Sequence, residues 1–184
     1  MTCRFLTAAS LALLFALPAV AADVPPQRAF EQMRGTCSDF QWNLAREFSL
    51  WTSAPLAITG ATRAADAPVV LLERRHDVAL APTAGVIFAQ PPQQLRGEPG
   101  RYSGIVRFSV PADGRYRVSA GNSLWYDVVA GDRLVESAAF EMQTRCDTIF
   151  KSVVFDLKAG TPLLLQFNGS PTDSVGLLIT PWNE

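Results

Sequence analysis

The sequence predicts an all-β fold: an antiparallel, jelly-roll-like sandwich with one N-terminal helix. Three observations carry this expectation. From Val69 onwards, short apolar stretches recur about every ten residues, separated by Pro, Gly, Asn and Asp. Within them apolar and polar residues alternate, the period of a strand with one buried face. The connections are also too short to hold the crossover helices of a parallel sheet.

The helix is expected over residues 39–51. In "SDFQWNLAREFSLW", Phe40, Leu44, Phe48 and Trp51 fall on one helical face, and Ser38 with Gln41 has the form of a capping box. A strand remains open for "FQWNL", where Phe40, Trp42 and Leu44 alternate. Residues 23–36 read as an extended lead-in and residues 52–67 as a small-residue connector. Candidate strands follow as "VVLLERR", "GVIFA", "YSGIVRFSV", "RYRVSA", "LWYDVVA", "RLVES", "KSVVFDL", "PLLLQF" and "VGLLIT", all within a single domain over 37–184.

Alternation assigns faces. Val106, Phe108 and Val110 point inward, as do Tyr116 and Val118, Val153, Phe155 and Leu157, and Leu163, Leu165 and Phe167. Arg107, Arg115, Arg117 and Ser119 are expected in solvent, giving each sheet one wet face. "VRFSVPADGRYRVS" at 106–119 and "VVFDLKAGTPLLLQF" at 153–167 read as two similar hairpins, each with a Gly in its turn. The likeness is expected to reflect packing, since function lives in sites and not in folds.

Residues 1–22, "MTCRFLTAASLALLFALPAVAA", have the charged start, apolar run and small-residue end of a secretory signal peptide. The apolar run is shorter than the roughly 20 residues that span a bilayer, so no membrane span is expected after cleavage. The expected localisation is periplasmic or secreted. Of 16 basic residues, 15 remain without Arg4, against 17 acidic ones, and none form a block. That excludes an electrostatic footprint for nucleic acid or anionic membrane. Cys37 and Cys146 remain after cleavage, and an even pair in an oxidising compartment predicts a disulfide.

Catalytic chemistry finds little purchase. His76 is the single histidine, no GxSxG elbow occurs, and His76 beside two arginines reads as a surface residue. Without a second histidine a transition-metal centre is not expected, and "PADG", "AGDR" and "SPTDS" lack the spaced acids of a calcium loop. Asp127, beside Trp125 in an apolar strand, is the most interesting acid. Exposed, Trp125 and Asp127 would form an aromatic-plus-acid ligand patch suited to sugars; turned inward, Asp127 must be hydrogen-bonded or paired.

"YSGIVRFSVPADGRYRVS", "LWYDVV", "FEMQTRC", "KSVVFDLKAG", "LLLQFNGS" and "LLITPW" resemble a group of small exported bacterial β-sandwich proteins with no assigned activity, over most of residues 37–182. Cys37 and Cys146 fit that pattern. The F-x-V-x-A-x-G-x-Y rhythm from Phe108 to Tyr116 is similar to pre-peptidase C-terminal domains, accessory modules of secreted enzymes. Members of the small exported group sometimes carry the label homogentisate 1,2-dioxygenase, which implies iron held by two histidines and a carboxylate. The lone His76 does not support that label.

The expected role is a non-catalytic exported binding or interaction module for a cell-envelope protein or polysaccharide, without cofactor or metal. Two rivals stand beside it. One is an envelope glycan hydrolase with Asp127 as one of two carboxylates; the other is a structural component that self-associates through strand edges.

Overall fold

The computed structural model describes residues 28–97 and 99–182. The expected signal peptide (1–22) and the start of the lead-in lie outside them. After a 3-10 turn at Phe30–Met33 and another at Cys37–Asp39, the chain forms helix α1 (Ala45–Trp51). Eleven strands follow among the described residues: β1 (Leu56–Thr59), β2 (His76–Ala79), β3 (Ala81–Pro82), β4 (Tyr102–Phe108), β5 (Gly114–Ala120), β6 (Trp125–Ala130), β7 (Arg133–Val135), β8 (Ser137–Met142), β9 (Lys151–Leu157), β10 (Leu163–Ser170) and β11 (Ser174–Pro181).

They form two sheets. The first runs β1-β2-β11-β5-β9-β8 and the second β3-β4-β10-β6-β7, antiparallel throughout except for the parallel pair β1–β2. Without the edge strands β1, β3 and β8, eight strands remain. Their order is first-eighth-third-sixth in one sheet and second-seventh-fourth-fifth in the other, the jelly-roll order. The inward residues read from alternation fill the space between the sheets: Val106, Phe108, Val118, Phe155, Leu165 and Phe167 are all buried in one cluster.

The two look-alike segments are not hairpins. β4 lies in the second sheet and β5 in the first, while β9 lies in the first and β10 in the second. Each connection is therefore an arch crossing the sandwich, and the two arches run side by side in opposite directions. Asp113 ties them together, accepting from the Ala159 amide (2.9 Å) and the Lys158 ammonium (3.0 Å). These bonds, the Ala159 amide first, hold its carboxyl below the usual range. Hairpin and arch share the same inward alternation, and only the pairing partner distinguishes them.

Neither outer face is simply wet. Arg117 and Ser119, expected in solvent, are buried, because residues 28–51 lie across the first sheet. Trp42, Leu44, Val154 and Trp182 form a second apolar cluster there, and Trp51, Ile149 and Leu178 a third. Glu141 of β8 and Gln143 just beyond it fasten this cover. Glu141 accepts from Arg28 (2.7 Å) and the amides of Gln41 (2.8 Å) and Trp42 (3.0 Å). Gln143 accepts from the Gly35 amide (2.7 Å) and donates to Asp39 O (2.9 Å). The Cys37–Cys146 disulfide closes the same junction.

This anchoring shortens the helix relative to its expected 39–51 range. The amides of Gln41 and Trp42 are committed to Glu141, so α1 begins only at Ala45, whose amide donates to Asn43 Oδ1 (3.1 Å). The capping box forms two residues earlier, between Thr36 and Asp39, and not at Ser38 and Gln41. The lead-in is not extended throughout, since Phe30–Met33 coils as a 3-10 turn.

Two expected strands are absent. Residues 69–75 make only an isolated bridge at Val69, and Glu73 adopts a left-handed φ of 58°. Residues 85–89 begin a strap over the second sheet, with a single bridge at Ile87. In exchange, the small-residue connector holds β1, and β8 continues past "RLVES". His76 is buried and not a surface residue; its Nε2 accepts from the Leu71 amide (3.3 Å), and desolvation lowers its pKa. No helix among the described residues is long and apolar enough to cross a membrane.

Candidate functional site

The strap places the expected ligand patch. Asp127, Gln166 and Asn168 sit on neighbouring strands and project from the outer face of the second sheet, as the inward burial of Tyr126, Leu165 and Phe167 requires. Each holds the strap's backbone. Gln166 pairs with Gln90 in both directions (3.3 and 2.9 Å), Asp127 accepts from the Gln93 amide (3.3 Å), and Asn168 donates to Gln94 O (2.6 Å). Gly169, at φ 75°, lets the strap descend further, since a Cβ there would meet Arg96 Cβ at 2.3 Å.

Trp125 and Asp127 are brought together as the alternation implies, but not as an open patch. The Trp125 indole donates to Asp127 Oδ1 (2.7 Å), while Oδ2 faces the Gln93 amide and Gln166 Nε2 (3.4 Å). Asp127 is 3% exposed, with both oxygens engaged, and serves as a structural acceptor.

Beside this pair, where β7 and β8 diverge at the open edge of the sandwich, lies a cleft of about 230 Å³. Tyr126 and Val135 wall it on one side; Phe140, Met142, Val153 and Phe155 wall it on the other. Phe30 and the strap residues Gln93, Gln94 and Arg96 also border it. Asp127 is the single carboxylate among the described lining residues, so the convergent second acid that glycoside hydrolysis needs is not among them.

Lys151 gives the cleft its chemistry. As the first residue of β9 it continues the inward series of Val153, Phe155 and Leu157, so its ammonium enters an apolar space. It is 8% exposed, donates to Leu124 O (3.1 Å), and lies over the rings of Tyr126 (4.4 Å) and Trp125 (5.1 Å). Desolvation lowers its pKa to about 8; Arg96 pushes in the same direction and Asp127 opposes. Tyr126, wholly buried, is held well above its usual range and stays neutral.

The buried ammonium carries a stability cost whose pH dependence follows from that shift. The folded pKa of about 8 lies below the unfolded value of 10.5. The penalty is thus complete below pH 8, fades as pH rises from 8 to 10.5, and is absent above. Lys151→Met is expected to stabilise the protein by about 1–3 kcal/mol at pH 7 and by nearly nothing at pH 10.5. Urea denaturation of both proteins at the two pH values checks this; a gap that does not close with pH refutes it.

Sequence reasoning missed Lys151, although the signal was present in "KSVVFDL", where the alternation that makes Val153 core makes Lys151 core as well. It also missed Arg96, whose place depends on the strap. Cys37, Cys146 and Asp147 lie together, but the two sulfurs are bonded to each other and offer no thiolate. No family model, curated protein or solved structure matches the chain.

Proposed function

We propose that the protein is a non-catalytic exported binding module for a cell-envelope partner, and that the cleft between β7 and β8 receives the group it recognises. The observation that supports this reading is the cleft itself: apolar walls from both sheets, open at one edge, with polar groups gathered at one end. The disulfide fits an oxidising compartment. A polysaccharide would use an exposed Trp125–Asp127 platform, and the strap's hold on Asp127 favours a small apolar group over a sugar chain.

The test is a thermal-shift screen of the oxidised full-length protein against peptidoglycan fragments, surface polysaccharides and small apolar compounds. A ligand at 100 times its Kd adds about 2.7 kcal/mol, a Tm rise of roughly 5–10 °C. Ser137→Trp, which blocks the mouth from an exposed edge position, is expected to abolish the rise. Binding that survives this substitution, or binding to polysaccharide alone, overturns the assignment of the site.

A further inference from the structure

The cleft combines apolar walls with an excess of positive charge at one end. Resting on the reading of the cleft as the ligand site, we infer that its ligand is an apolar-tailed anion, with the anionic head held by Lys151 and Arg96 and the tail between Phe140 and Phe155. The head is a carboxylate or a phosphate, and the two share this recognition chemistry.

Charge bookkeeping at the site carries the inference. Lys151 and Arg96 both border the cleft, and neither has an ion-pair partner among the described residues. Among the described residues the single facing acid is Asp127, already committed through both oxygens to Trp125, Gln93 and Gln166. The Lys151 ammonium has three N–H donors and one hydrogen-bond acceptor, Leu124 O, with aromatic faces around the remainder. A desolvated cation without a counter-charge is unfavourable in an empty apolar site. An incoming anion supplies that charge where water is excluded and the interaction is strongest.

The depressed Lys151 pKa agrees with this picture, because Arg96 outweighs Asp127 in its causes. Size narrows the tail. At about 230 Å³ the cleft falls below the usual range of roughly 300–1,000 Å³ for drug-sized ligands, so one aromatic ring or a short acyl chain fits. A ligand with polar groups along its tail would leave polar atoms facing Phe155 and Met142.

Isothermal titration calorimetry on the oxidised full-length protein at pH 7, with octanoate, octyl phosphate, 1-octanol and octylamine, tests the inference. Octanoate or octyl phosphate is expected to bind at least about tenfold more tightly than octanol, one charge-assisted contact's worth, with octylamine weakest. Whichever anion is tighter identifies the head group. Lys151→Met is expected to bring the anions to the octanol level and Arg96→Gln to weaken them severalfold. Equal binding of octanol and both anions overturns the anionic head while leaving the cleft as a binding site. If none of the four probes binds, and Ser137→Trp is without effect in the thermal-shift screen, the cleft reading fails with it.

Discussion

Reduction of the Cys37–Cys146 bond is expected to lower the unfolding free energy by about 4–5 kcal/mol. The bond joins residues 109 positions apart, so it closes a loop that contains most of the sandwich. In the unfolded chain that closure removes a large share of conformational freedom; without it, the docking of residues 28–51 must supply the same ordering unaided. Glu141, Gln143 and the amides they hold would still favour the docked cover, but its tether would be gone. Urea denaturation of the oxidised protein beside the Cys37→Ser/Cys146→Ser variant measures the difference, with a Tm fall of roughly 10–20 °C expected alongside. A difference below about 1 kcal/mol would mean that the docking contacts alone hold the segment.

Glu47→Ala is expected to cost about 3–5 kcal/mol. Glu47 and Arg117 meet at 2.9 Å with both side chains 3% exposed, under the cover of the first sheet. Thr180 donates to the other Glu47 oxygen (2.6 Å), Arg117 donates to Asn43 O (3.1 Å), and its guanidinium lies 4.5 Å from the Trp182 ring. Removing the carboxylate takes the Glu47 charge away from a buried guanidinium, the costly way to break such a pair. Replacing both partners by apolar residues, as in Glu47→Leu/Arg117→Met, is expected to cost far less than the sum of the single substitutions. A double-mutant cycle in urea gives the coupling; additive losses would show that the pair acts as two independent packing residues.

The sandwich is legible in residues 102–180 because alternation there is strict: Val106, Phe108, Val118, Val153, Phe155, Leu165 and Phe167 are all core. Alternation marks a polar face without saying what that face meets. Arg117 reads as solvated, yet it hydrogen-bonds a segment that lies over it, and so do Glu141, Gln143, Asp127, Gln166 and Asn168. The covers themselves lack strong periodicity, since their backbones satisfy side chains and not a neighbouring strand. The arches escaped for a similar reason, because a turn such as "PADG" has the same local chemistry whether its strands pair or part.

The candidate site follows the same division. The pairing of Trp125 with Asp127 was within reach of period-two reasoning, and so was the inward direction of Lys151. The strap that covers the first pair and brings Arg96 to the cleft was not. Its course is set by Gly169 and by amide contacts far apart in sequence.

The place of β11 has a consequence for how the chain reaches this state. β11 lies between β2 and β5, so the β1–β2 pair and the β5-β9-β8 ladder become one sheet only when residues 174–181 join them. Loop-closure entropy for the β2–β11 pairing must be met before its hydrogen bonds form, which puts folding in the slow, millisecond-to-second regime of non-local β topologies. The second sheet and the β5-β9-β8 ladder can form without β11, so its loss is expected to split the first sheet into two pieces and leave the β1–β2 pair detached.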